Sequence, residues 1–403
     1  MKRALLFSIL LTSFLFSDLL AQDGTWVVNG QVRHRFNMMG QDFNGDTKTI
    51  NNNELRTRIG VKFMPTEDVI GFIQLQDSRV MGTESSTLTD GSADALDAHQ
   101  AYAQINKLFG MPLSMKVGRM EVALGNQRLI GAVGWHNIGR SFDGIQFTHA
   151  ADNHSLHVFN FKTGEAGGFG DTSDVEVMGA WADFKVNEDL RVQGYGIWDR
   201  TVGPGMMSRI TAGTQVDFKM GDLSATGEFA YQTGQISSTV DYAGMMYALN
   251  GTYNMNGTSF SAGLASLSGD DPTTTDKVES FNTLFATNHK FYGMMDYFLN
   301  VPVHSKGGGL LDIHVKASTK ICEKTSIKGA FHMFSANEKV GGEDAIGNEI
   351  DLFLTHGYNK NVKFQGGFGY FMPGDFVKNV GINKYSGEDA STYLYLMTII
   401  NLN

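Results

Sequence analysis

The chain is almost without cysteine. Cys322 is the only one in 403 residues, so no disulfide can form within the chain. Proline is scarce, at six, and no proline-rich or low-complexity linker divides the sequence. Past the first two dozen residues, no apolar run reaches the roughly 18 residues that a membrane helix needs. There is no block of like charge. Arginine is absent after Arg209, and lysine alone supplies positive charge beyond it. The formal net charge of −10 excludes nucleic acid as the expected partner. What remains is one undivided chain with neither disulfide staples nor membrane helices.

The opening stretch, "MKRALLFSILLTSFLFSDLLAQDG", has its own logic. Lys2 and Arg3 precede an apolar segment from Ala4 to Phe16, and Leu19 and Ala21 suit cleavage before Gln22. Residues 1–21 are therefore expected to be a signal peptide, and 22–403 the exported chain. No cysteine follows the apolar segment, so a lipoprotein is not expected.

The exported part is rich in glycine, with 48 residues in the whole chain, and 11% of its residues are aromatic. Its hydrophobicity alternates. In "TWVVNGQVRHRFN", Trp26, Val28, Val32 and Phe36 share one face, while Gln31, Arg33 and Arg35 share the other. In "NELRTRIGVKFM", Leu55, Ile59, Val61 and Phe63 oppose Glu54, Arg56, Arg58 and Lys62. Period two means strand. The joints alternate too. Short ones fall at 65–68, 150–153, 186–189, 220–222, 254–257 and 359–361, and longer ones at 38–52, 80–95, 126–139, 164–173, 269–309 and 373–389. Together they imply roughly 18 strands of about 9–12 residues, with short periplasmic turns and longer extracellular loops. A bilayer offers the backbone no water, so such strands cross only as a closed barrel. The expected fold is all-β: a transmembrane antiparallel β-barrel in a bacterial outer membrane, in contact with its lipid. The last strand puts Tyr393, Tyr395, Met397 and Ile399 on one face, and the chain ends in Asn403 rather than an aromatic residue.

A lipid-facing arginine at mid-depth costs roughly 2–4 kcal/mol. The alternation therefore assigns Arg33, Arg35, Arg56 and Arg58 to the lumen, and Arg209 joins them from "RITAGTQVDFK". Same-face neighbours about 7 Å apart repel by about 2.4 kcal/mol at an effective dielectric of 20. Such a wall is electropositive and suits an anion-selective pore.

One stretch carries more than periodicity. "VGRMEVALGNQRLIGAVGWHNIGRSFDGIQF", Val117–Phe147, resembles the alginate-export family of outer-membrane barrels. It has a strand ending in Gly-Arg, a loop with Gly-x-x-Arg-Leu and Trp-x-Asn, and Arg-Ser-Phe-Asp-Gly opening the next strand. The resemblance continues in "SLSGDD", "FNTLFATNHKFYGMMDYF", "GLLD", "IGNEIDL" and "GGFGYFMPGD". It implies a channel that passes uronate polysaccharide or similar anions, with periplasmic polysaccharide-secretion components as partners. It also implies that Arg119, Arg128 and Arg140 belong to the constriction. Parity alone places Arg140 inward and Arg119 on the lipid side unless a bulge intervenes. The competing reading makes Arg119, Glu121, Arg128, Arg140 and Asp143 a charged network that braces the loop.

Other constellations are weaker. His154 and His157 are the one pair of histidines close in sequence, beside a turn. "DFNGD" (42–46) begins like a calcium loop, but its glycine comes early and no closing glutamate follows. Ser155 and Ser305 stand near histidines without a clear third member, so an outer-membrane barrel enzyme is only the distant alternative. No cofactor or metal site is expected. The stretch 269–309 holds too many aromatics for a solvated loop, and either enters the mouth or packs on the rim. The nearer alternative to an exporter is an uptake porin for small anions or carbohydrates.

Overall fold

The computed structural model describes residues 24–83, 96–165, 174–201 and 207–402. Residues 1–21, expected to be a signal peptide, and most of the 80–95 and 164–173 loops lie outside the described residues. Twenty strands form one sheet. The first ten are β1 (Thr25–Gly40), β2 (Ile50–Met64), β3 (Val69–Val80), β4 (Leu96–Ile105), β5 (Leu113–Met120), β6 (Phe142–Ala150), β7 (His154–Gly164), β8 (Val175–Lys185), β9 (Leu190–Thr201) and β10 (Ser208–Met220). Then come β11 (Leu223–Ser237), β12 (Val240–Tyr242), β13 (Met245–Met255), β14 (Thr258–Leu267), β15 (Lys277–Val278), β16 (Leu310–Cys322), β17 (Thr325–Val340), β18 (Glu343–Gly357), β19 (Val362–Pro373) and β20 (Ser391–Leu402).

The short strands β12 and β15 pair parallel to each other, outside the wall. The other eighteen run antiparallel, and β1 pairs with both β2 and β20, so the sheet closes. Closure leaves no unpaired edge, which is what a strand needs in lipid. No helix among the described residues is long and apolar enough to cross a membrane. Eight turns lie at one end and nine loops at the other, as the alternating joints imply. One loop departs from the expectation of length. Only residues 341–342 join β17 to β18, and these two strands, of 16 and 15 residues, carry the hairpin past the end of β16.

Register fixes the faces. Arg33 lies opposite Arg56 and Gln31 opposite Arg58. These side chains point into the barrel, while Val28, Ile59, Ile73, Leu249, Val315 and Leu396 stand exposed on the outside. The face of β20 that carries Tyr393, Tyr395 and Met397 is buried inside.

The interior is not simply a water-filled channel. Two segments from the loop end, 121–141 and 268–309, fold into the barrel and meet. Gly131 donates its backbone N–H to the Phe285 carbonyl at 2.9 Å, and Phe285 donates to Leu129 at 2.8 Å. Ile130 and Phe285 form a parallel bridge. Phe281, Tyr292, Met294, Met295, Phe298 and Val301 are buried against Phe334 and Phe371 of the inner wall. Each such side chain contributes roughly 1.5–3 kcal/mol, which holds the second segment inside rather than on the rim. The wall makes room for it: a Cβ on Gly369 would meet Met295 Cγ at 2.7 Å.

Candidate functional site: an arginine clamp above a lysine-lined vestibule

The inward arginines of β1 and β2 do not stand free. They grip the backbone of the 121–141 segment. Arg33 Nη1 donates to the Gly134 carbonyl at 2.7 Å, and its Nη2 donates to the His136 carbonyl at 3.0 Å. Arg56 Nη1 reaches the same two carbonyls, each at 3.2 Å. Arg35 donates to the Trp135 carbonyl at 3.0 Å and pairs with Glu54. Arg58 donates to Ile138 O at 3.0 Å and to Glu121 Oε1 at 3.0 Å. Carbonyl dipoles thus absorb much of the repulsion that a bare arginine wall would carry. Arg33, Arg35 and Arg56 are at most 5% exposed. The expectation of a solvent-facing arginine wall is corrected on this point, since the segment covers it.

The Trp-x-Asn motif is the other half of the clamp. Trp135 stacks on His289 at 4.2 Å between ring centroids, and the Arg35 guanidinium lies 4.0 Å from the indole. Its indole N–H donates to Asp296 Oδ2 at 3.0 Å. Asn137 Oδ1 accepts from Arg33 at 3.3 Å. Trp135 therefore links the wall, the first segment and the second. His136, between them, is exposed to solvent, although neighbouring protein crowds part of it. Burial is the largest cause that pulls its pKa below 6.5, and Arg35 and Arg33 act the same way, against Glu54 and Asp296.

Arg128 and Arg140 fasten one segment to the other. Arg140 donates to the carbonyls of Phe285 and Ala286, and burial draws its guanidinium down to about 10. Arg128 is buried, pairs with Glu228 at 3.2 Å and donates to the Tyr292 hydroxyl at 2.8 Å. Phe291 lies 3.9 Å from its guanidinium carbon. Arg209 is inward and buried too, bidentate on Asp199 at 2.7 and 3.2 Å.

Arg119 does not join this group. It shares the outward parity of Val117, without an intervening bulge, and binds Asp143 through two bonds of 2.9 Å. Its assignment to the constriction is corrected, because the strand parity carries the side chain to the outer face. There it heads a row. Arg119, Asp143, Lys162, Glu176 and Arg200 are successive cross-strand partners over β5–β9, with alternating sign. The bracing network foreseen for Arg119, Glu121, Arg128, Arg140 and Asp143 is thus divided between two sides of the wall.

Below the clamp, toward the turn end, the inner face carries lysine. Lys219, Lys320, Lys328 and Lys363 share the inward parity of Gln215, His314, His332 and Gly367, and are exposed. None of them is ion-paired among the described residues. The alternation that revealed the arginines also marks these lysines, but the arginine clusters drew the reading away from them. Two cavities of about 290 and 210 Å³ lie beneath the segments. The first is lined by Leu124, His157, Trp181, Arg191 and Gln215, and the second by Arg128, Glu228, Asn250, His314 and Lys316. A third, of about 220 Å³, lies beside Arg35, Trp135 and Tyr393.

The remaining candidates have structural roles. His154 stacks on Phe184 outside the wall, whereas His157 faces inward toward Thr148, so the two do not meet. In "DFNGD", Phe43 is buried on Tyr297, and Asn44 and Asp46 shape a turn. Ser305 caps a helical turn through the Val301 carbonyl.

A closed eighteen-strand antiparallel barrel narrowed by inward loops defines an outer-membrane pore. The chain belongs to the alginate-export family, whose profile matches residues 27–387. No curated protein matches it. Solved structures share the fold at low identity. The outer membrane protein OprD from Pseudomonas aeruginosa gives a TM-score of 0.63 at 13% identity, covering 94% of each chain. OccAB1 of Acinetobacter baumannii gives 0.62 at 14%, covering 93% of this chain and 96% of that one. OccK2 of Pseudomonas aeruginosa, in complex with glucuronate, gives 0.63 at 12%, covering 94% and 98%. The protein resides in the bacterial outer membrane, and its family and fold are those of pores rather than enzymes.

Proposed function

We propose that the protein is a passive outer-membrane pore for anionic carbohydrates, with polyuronate of the alginate type as the first-choice solute. The observation that carries this reading is the set of unpaired inward lysines below the clamp. Screening limits the reach of the acidic loops to about 8 Å at physiological salt, and a low-dielectric wall focuses the field of the nearby cations into the channel. Family membership supports export, for which periplasmic secretion components are the natural partners. The clamp arginines Arg33, Arg35, Arg56, Arg58, Arg128 and Arg140 line or brace this pathway by holding its narrowest part.

A second reading has its own support. The three cavities beside the inserted segments, about 210, 220 and 290 Å³, fall below the roughly 300–1,000 Å³ of typical ligand sites, so they suit a single sugar acid better than a polymer. The glucuronate complex of OccK2 points the same way. In this reading the protein is an uptake porin for small anionic sugars.

Planar bilayers test both. Under a potassium chloride gradient the wild type should favour chloride. Lys219→Gln, Lys320→Gln, Lys328→Gln and Lys363→Gln together should remove most of that preference. A wild-type preference for potassium ends the anion reading. Salt-sensitive block by a polyuronate oligomer favours the exporter. Block by glucuronate alone favours the uptake porin.

A further inference from the structure

Away from the clamp, the inner faces of β16 and β17 bring together Asp312, His314 and His332. Residues 312 and 314 are two apart on one strand and so share a face. His314 and His332 are direct cross-strand partners. Asp312 Oδ1 lies 2.8 Å from His332 Nδ1, and its Oδ2 lies 3.0 Å from His314 Nδ1. One donor atom from each residue falls within 4.8 Å of the others. All three are buried, and Asp312 and His314 border the 210 Å³ cavity.

A second observation concerns charge. Glu349 is the next cross-strand partner of His332, and Asp351 follows it on the same face of β18. Both are at least 98% buried. Glu349 Oε2 and Asp351 Oδ1 have no hydrogen-bond partner. Burying a carboxylate without a compensating charge is expensive. Glu228 is paired with Arg128, and Asp312 with the two histidines. Lys316 shares this face of β16 and borders the same cavity, but makes no ion pair with Glu349 or Asp351.

We propose that Asp312, His314 and His332 form a binding site for a divalent transition-metal ion of the zinc class. Two imidazole nitrogens and one carboxylate oxygen suit zinc, nickel or ferrous iron, whereas calcium and magnesium take oxygen ligands. Metal–ligand bonds of about 2.0–2.2 Å in tetrahedral geometry set donor atoms about 3.3 Å apart. The present nitrogen–oxygen separations of 2.8 and 3.0 Å need to open by a few tenths of an ångström, and the donor atoms, which lie within 4.8 Å of one another, need to draw together around the ion. The two histidines bind through Nδ1. His314 Nε2–H then donates to Asn250 Oδ1, now 3.3 Å away, which fixes the tautomer. The cavity beside Asp312 and His314 leaves the fourth position for water or a solute carboxylate. The bound ion would also place positive charge near the buried carboxyls of Glu349 and Asp351, whose other oxygens accept the Met295 and Met294 N–H groups at 2.9 and 3.2 Å.

The test uses the folded, untagged barrel in detergent, stripped with chelator and titrated with cobalt. One equivalent should bind with visible d–d absorption, and zinc should displace it. His314→Gln and His332→Gln, each confirmed as folded by heat modifiability, should weaken binding at least about 100-fold. His154→Gln, on the outer face, should leave it unchanged. Zinc-edge anomalous diffraction from wild-type crystals gives a result independent of the variants. Sub-stoichiometric binding, binding that survives both histidine changes, or zinc absent from this place in the crystal would each overturn the site.

Discussion

At the scale of single residues, the interior works by pairing charge with something other than charge. Arg128 is satisfied by Glu228, by a phenol and by an aromatic face. Removing one partner of a buried pair strands the other, which typically costs about 3–5 kcal/mol. Arg128→Leu should therefore lower the urea midpoint of the refolded barrel sharply. Adding Glu228→Leu should recover part of the loss, and an additive double mutant would show that the pair is not coupled. His136 makes a pH-dependent contribution. Its pKa is lowered in the folded state. Its neutral form is thus the stabilised one, and stability is full above the unfolded value near 6.5. It declines as pH falls below that value and the ring must charge. Proteolysis of the 121–141 segment should rise below about pH 6.5, and His136→Gln should flatten that response. An unchanged profile would exclude His136 as its source.

At the scale of elements, strands and inserted segments obey different rules, and this explains what the sequence disclosed. Strands β1 and β2 could be read directly, because alternation is local and a register error would invert every face. The same parity foretold that Arg119 points outward, against the family resemblance. The clamp was not legible, because its bonds join residues far apart in the chain. Arg33 reaches a carbonyl 101 positions away, and Arg128 a phenol 164 positions away. Nor did spacing reveal the Asp312–His314–His332 cluster, since one of its members comes from the neighbouring strand. Charge-assisted hydrogen bonds contribute roughly 1.5–3 kcal/mol each. Arg33→Gln with Arg56→Gln should therefore release the first segment and raise single-channel conductance, with little change in chloride preference. Gly293 makes the matching prediction for the second segment. Its φ is +82°, and a Cβ there would meet the Glu349 carboxylate at 2.5 Å. Gly293→Ala should push the segment off the wall and enlarge the pore, while Gly251→Ala, with nothing within 4 Å, should not. Equal conductance in the two variants would refute this account of the constriction.

At the scale of the whole molecule, an acidic chain turns arginines and lysines toward its interior. The total of −10 counts every loop carboxylate, whereas a permeating ion meets the inner wall at close range. The division of labour within that wall is between two kinds of cation. Arginine, with its planar fork of donors, holds backbone carbonyls in fixed geometry, and lysine, a compact charge on a flexible stem, remains available to solutes. The loss of arginine after Arg209 thus has a structural counterpart, since the carbonyls of the 121–141 segment are gripped from β1 and β2.

The bridge between Ile130 and Phe285, reinforced by Trp135 on His289, makes one shutter out of two flaps. Neither flap swings without tearing the seam between them. A barrier of this kind has two settings, and the current through a single molecule should resemble a telegraph signal, jumping between one low and one high level. A staircase of intermediate levels would mean that the flaps move separately and that the seam is weaker than its bonds imply.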